Sequence, residues 1–125
     1  MRSVMHFEIP ADDLTRAKEF YGSVFSWQLQ DMPEMDYTVV QTTEVDEQTR
    51  MPTSPGAING GLVPRSDETP TPVITIDVES VAKALEQVEA AGGRVVRPRS
   101  EIPGMGAYAY FADTEGNVLG LWENA

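Results

Sequence analysis

Apolar residues recur along this chain in two matched series. The run Met5-His6-Phe7-Glu8-Ile9-Pro10 reads as a strand, and after it Leu14, Ala17, Phe20, Tyr21, Val24 and Phe25 fall in steps of three and four. That spacing predicts a helix with one apolar stripe, opened by a cap at Asp12 or Asp13. Past the middle the plan returns. Pro72-Val73-Ile74-Thr75-Ile76-Asp77 reads as a strand, and Val81, Ala84, Leu85, Val88 and Ala91 form a second stripe. This helix begins around Ser80 and is stopped by Gly92-Gly93. Aligning Ala17 with Ala84 sets Ile9 against Ile76 and His6 against Val73.

Each helix is followed by short β-rich runs. In the first half these are Trp27–Gln30, Asp36–Thr43 and the glycine-interrupted stretch Ala57–Val63, with a polar loop from Glu44 to Gly56. In the second half they are Arg94–Arg97, Ala107–Ala112 and Val118–Glu123, with a loop over Glu101–Gly106 and a tight turn over Asp113–Asn117. Each half is therefore β-α-β-β-β. Half a chain of this kind cannot bury its sheet alone, so the paired halves are the unit of folding. The expectation is one α+β domain over residues 1–125, with module one at about 1–64, a linker at about 65–71 and module two at about 72–125. A paired sheet of this size should curve around a hollow.

Composition narrows the function classes. The chain has 125 residues, 41% of them hydrophobic, which suits one soluble domain with a real core. It has no cysteine, so disulfides, thiolate nucleophiles and thiolate metal sites are excluded together. No apolar run is long enough to span a bilayer, and Met1-Arg2-Ser3-Val4 enters the first strand without a signal-peptide segment. A cytoplasmic location is expected. The net charge of −11 argues against nucleic acid and anionic membrane as partners and is read mainly as a solvated acidic surface.

Several motifs now carry a resemblance. His6-Phe7-Glu8-Ile9-Pro10, then Ala17-Lys18-Glu19-Phe20-Tyr21 with Val24-Phe25-Ser26-Trp27, resembles the opening of the vicinal oxygen chelate superfamily. That superfamily includes glyoxalase I, bleomycin-resistance proteins and extradiol dioxygenases. Ala90-Ala91-Gly92-Gly93, Ile102-Pro103-Gly104-Met105-Gly106 and Phe111-Ala112-Asp113-Thr114-Glu115-Gly116-Asn117 resemble its closing stretch, with Thr114 where the family's turn has proline. The resemblance spans nearly the whole chain. It implies paired βαβββ modules whose curved mixed sheet encloses a ligand cavity, often within a homodimer.

The resemblance also implies four metal-ligand positions, one on the first and one on the last strand of each half. They fall on His6, on Gly60 or Gly61, on Val73 and on Gly120, so His6 is the only surviving ligand. A catalytic zinc wants three protein ligands and an open position, which one imidazole cannot supply. No cofactor is expected, although a divalent metal completed by other ligands stays open. His6 and Glu8, two apart on a strand, point to one face and form a tentative catalytic pair in which the acid would raise the histidine pKa. Trp122 shares a face with Gly120, and the glycines at 60, 61 and 120 should leave room for a ligand against the backbone. The candidate ligand-binding set is thus His6, Glu8, Gly60, Gly61, Val73, Gly120 and Trp122.

Two functions from different classes follow. One is a metal-free small-molecule-binding protein similar to the bleomycin-resistance branch, acting as a homodimer. The other is a small-metabolite enzyme of lyase, isomerase or dioxygenase type, using His6 and Glu8 or a non-standard metal site. Fold alone does not choose between them.

Overall fold

The computed structural model describes all residues 1–125 as two helices and eight strands of mixed pairing, an α+β fold. Two compact units divide the chain: residues 6–72, and residues 1–5 together with 73–125.

The unit of residues 6–72 holds most of β1 (Val4–Ala11), then α1 (Leu14–Phe25), β2 (Gln28–Met32), β3 (Tyr37–Gln41) and β4 (Gly60–Pro64). Asp13 caps α1 by accepting from the Arg16 N–H at 3.0 Å. That contact satisfies one of the orphan donors of the first turn. Ser26 ends the helix in the left-handed region at φ 59° and turns the chain into β2. The strands β2 and β3 pair antiparallel, as do β3 and β4, while β4 runs parallel to β1. Thr38, Val40 and Leu62 are buried on one face of these strands.

The unit of residues 1–5 and 73–125 carries β5 (Val73–Asp77), α2 (Val81–Ala90), β6 (Arg94–Ile102), β7 (Gly106–Ala112) and β8 (Val118–Asn124). Its strands lie in the order β5-β8-β7-β6. Val81 and Leu85 of α2 pack with Ala109, Phe111 and Leu121, and Ile76, Val88, Val95 and Leu119 surround that cluster. Burying side chains of this size stabilises by roughly 1.5–3 kcal/mol each. This is the core that the second apolar stripe predicts.

Two elements depart from the sequence reading. The strand expected over Arg94–Arg97 runs on to Ile102, with register shifts between Val95 and Arg97 and between Arg97 and Ser100. Pro98 has no N–H to give the ladder, so this edge strand bulges past it rather than stopping. The second departure is in α1, which has no buried residue although it has the stripe of an amphipathic helix. Phe20, Val24 and Phe25 are each more than half exposed. The helix touches β2 and β4 along a narrow line, so the outer half of its apolar surface has no cover within the unit.

Candidate functional site

Strand pairing decides which candidate residues share a face in the first unit. The parallel register of β1 on β4 sets Phe7 beside Gly60 and Glu8 beside Gly61. Side chains alternate along a strand, so His6, Glu8 and Gly61 share one face while Phe7 and Gly60 share the other. Gly60 therefore does not belong with His6. Its missing side chain makes space for the Phe7 ring, whose Cγ lies 2.7 Å from where a Cβ would sit.

Gly61 serves a different neighbour. Across β3 it pairs with Val39, and Tyr37, two residues back, reaches over it. A Cβ on Gly61 would collide with the Tyr37 hydroxyl and the ring carbon that bears it. That hydroxyl lies 2.7 Å from His6 Nε2. The two rings are nearly parallel, at 15° with centroids 6.5 Å apart. Glycine at 61, tyrosine at 37 and histidine at 6 thus form one polar constellation on one face. The sequence places Tyr37 in the strand expected over Asp36–Thr43 and does not single it out as a site residue. A strand glycine does signal the close approach of something, but the β3–β4 register that identifies it as Tyr37 is a tertiary property.

Burial sets the electrostatics of the pair. It pushes the His6 imidazole down to about 4, because a charged ring would lose its hydration there. The expected elevation of His6 by Glu8 is therefore overturned, since desolvation is the dominant effect and acts in the opposite direction. At neutral pH His6 carries no charge, with one ring nitrogen donating and the other accepting. Glu8, only 8% exposed, lies on the same face beside Gly61.

The remaining candidates lie in the second unit. Val73 begins β5 and is fully buried. Gly120 faces Thr75, whose Oγ1 lies 2.6 Å from where a Cβ would sit. The room expected over the three glycines is thus occupied by Phe7, Tyr37 and Thr75. Trp122 does share the face of Gly120. The pairs Tyr108↔Trp122 and Tyr110↔Gly120 place both tyrosines on that face, opposite the one packed on α2. Trp122 Nε1 donates to Asn124 Oδ1 at 3.0 Å. The guanidinium of Arg97 stands 5.7 Å from the Tyr108 ring centroid, a cation–π contact absent from the sequence reading.

Glu123 points the other way, as alternation requires. Its carboxylate accepts from the Val81 N–H at 2.7 Å and from Arg99 Nε at 3.1 Å. Those contacts hold it below the usual carboxylate range and assign it to the α2 N-terminus. The loop before β7 is a closed hairpin turn, with the Met105 N–H donating to Ile102 O at 3.0 Å.

The family's metal chemistry does not fit these residues. Of the four ligand positions that the resemblance implies, only His6 carries a donor side chain, and its Nε2 is engaged by Tyr37. No three His, Asp or Glu side chains gather where they could hold a metal ion. A zinc would meet one nitrogen where it needs three ligands.

Comparison with known proteins gives a consistent picture. A family model described as bleomycin resistance protein-like N-terminal matches residues 3–43. A glyoxylase-like domain-containing protein of Didymella fabae is 30% identical over 89% of this chain and 85% of its own length. A Mycobacterium bovis protein, CFP32, whose name marks it as a candidate glyoxylase, is 28% identical over 93% of this chain. The chain spans only 43% of that protein's length. Among solved structures, a variant of Streptomyces coelicolor methylmalonyl-CoA epimerase in complex with 2-nitronate-propionyl-CoA is similar in fold. It has a TM-score of 0.63 at 16% identity, covering 98% of this chain and 96% of that one.

Proposed function

The chain belongs to the vicinal oxygen chelate (glyoxalase/bleomycin-resistance) superfamily, and from that premise we propose that it binds a small organic molecule without a resident metal ion. The observation that carries this reading is the hydrogen bond between Tyr37 and His6 over Gly61. In a metal-dependent relative the imidazole nitrogen would be free for the ion. Here a phenol engages it, and the second ligand position has become the glycine that admits that phenol. His6, Tyr37 and Glu8 offer a ligand neutral donors and acceptors beside a carboxylate. Taken by itself, the second unit presents Trp122, Tyr108 and Arg97 as a separate stacking surface with a cation. Apolar walls with a few fixed polar groups are the usual composition of small-molecule sites.

The fold relative that holds a coenzyme A ester supports an acyl thioester or similar organic acid as the first class to test. A binding role is favoured over base catalysis because His6, pushed down to about 4, is a weak base at neutral pH. A homodimer belongs to the same proposal, supported by the uncovered apolar face of α1. So does a cytoplasmic setting, in keeping with an acidic, cysteine-free chain.

The test is a thermal-shift screen of organic acids, acyl-coenzyme A esters and aromatic metabolites in the presence of EDTA. Any ligand at about 100 times its Kd should stabilise by about 2.7 kcal/mol. Binding should weaken in Tyr37→Phe and His6→Ala. A hit that binds only after EDTA is removed and a divalent metal is added would overturn the metal-free reading.

A further inference from the structure

We propose that the second unit takes a flat molecule carrying an amine, held by Asp77 and Thr75 beside the Trp122 ring; this rests on the metal-free binding reading above and gives it a chemical class. The starting observation is the register of β5 on β8. Thr75 pairs with Gly120 and Asp77 with Trp122, so the four share one face, opposite the one packed on α2. Thr75 is only 6% exposed, yet its hydroxyl makes no hydrogen bond within the protein. No side-chain polar atom of the chain is both sealed from solvent and unpartnered, so this hydroxyl keeps an opening. A group so deep and so free of protein partners calls for one from outside the chain. Gly120 keeps it clear, since a Cβ there would stand 2.6 Å from Thr75 Oγ1. Asp77 is the second group. It ends β5 half-buried, and its carboxylate meets no donor and no cation of the protein.

The indole beside these groups is fixed in place. Trp122 Nε1 donates to Asn124 Oδ1 at 3.0 Å, and Cζ2 lies 2.7 Å from where a Cβ on Gly106 would sit, so the ring rests against that backbone. An immobile ring beside a carboxylate suits a cation. The ring face is electronegative, and the carboxylate accepts a charge-assisted hydrogen bond. Arg97 does not compete for Asp77. It lies over Tyr108 at 5.7 Å, bonds to Ser100 at 3.2 Å, and belongs to β6, three strands away from β5. Three strand spacings are about 14 Å, longer than the screening length of about 8 Å at physiological salt. The long-range field agrees, because a net charge of −11 draws cations and repels organic acids. Thr75 and Asp77 are two apart and so stand roughly 7 Å apart along the strand. A molecule that reaches both carries an ammonium at one end, a hydroxyl or carbonyl at the other and a ring between. Tyramine has that layout.

Isothermal titration of the full chain in EDTA tests this, with tyramine and with para-hydroxyphenylpropionate, which puts a carboxylate where tyramine has its ammonium. Tyramine should bind about tenfold or more tightly than the acid, and added salt should narrow the difference. Asp77→Asn should weaken tyramine by about tenfold without weakening the acid. Thr75→Val should also weaken tyramine, and Thr75→Ser, which restores the hydroxyl, should recover it. The comparison of amine with acid needs only the wild type, so it stands even if a variant folds poorly. Tyramine that fails to bind, that binds no more tightly than the acid, or that Asp77→Asn leaves unaffected would overturn the amine assignment and leave the metal-free reading standing. Tyramine that binds only after a divalent metal replaces EDTA would end both.

Discussion

The Tyr37 hydroxyl occupies the space that a side chain on Gly61 would need, and from there it reaches His6 Nε2 at 2.7 Å. One glycine on β4 thus determines whether a tyrosine on β3 can meet a histidine on β1.

Gly61→Ala should therefore act through Tyr37. The new methyl group would push the ring away, cost a few kcal/mol as overpacking does, and break the bond to His6. In a Tyr37→Ala background the same substitution should cost much less. Urea unfolding of the two single variants and the double variant measures the coupling, which should exceed about 1 kcal/mol. Additive costs would mean that Tyr37 does not sit over Gly61.

Tyr37→Phe keeps the ring and removes the hydroxyl, leaving a half-buried His6 nitrogen without that partner. The expected loss of stability is about 1 kcal/mol, the usual net contribution of one hydrogen bond at a half-buried site. Chemical denaturation checks it. A neutral outcome would argue that His6 has other means of satisfying Nε2.

The depressed pKa of His6 predicts a pH dependence with a definite sign. Its folded value of about 4 lies below the ordinary 6.5. The unfolded chain therefore binds the extra proton first, and stability is full above 6.5 and falls as pH drops toward 4. The total loss is on the order of 3 kcal/mol. Asp31, Asp46, Asp113 and Glu123 are held below their ordinary carboxylate values, so their contribution is lost at lower pH. Denaturation midpoints from pH 7 to 4 should fall in the wild type and flatten in His6→Gln. Equal slopes in the two proteins would contradict the desolvation of His6.

Much of this could be read from the chain itself. The repeated strand–helix order, both helix caps and the alternation that separates Trp122 from Glu123 follow from local chemistry, and all are present. What escaped depends on how distant segments meet. The apolar stripe of α1 looks the same in sequence whether it is covered or bare. Gly60 and Gly61 are adjacent glycines until the β1–β4 register sends them to opposite faces. Glu8 beside His6 suggested a raised pKa, and only the depth of burial shows that desolvation prevails. The strand expected to end at Arg97 runs on, with a register shift between Arg97 and Ser100.

Glu123→Ala should loosen the start of α2, because its carboxylate accepts from the Val81 N–H. The cost should be about 1 kcal/mol, as for loss of a helix cap, and ligand binding should be untouched. Hydrogen exchange at the first turn of α2 would report it; unchanged exchange there would dispute the cap.

The central claim is a ligand site that works without a metal ion, with His6 engaged by Tyr37. Elemental analysis of untagged protein, purified without added metal or chelator, tests it most directly when paired with the same analysis of His6→Ala. The expected result is no transition metal in stoichiometric amount in either protein. Zinc, iron or manganese at one ion per chain in the wild type, lost in His6→Ala, would contradict the claim.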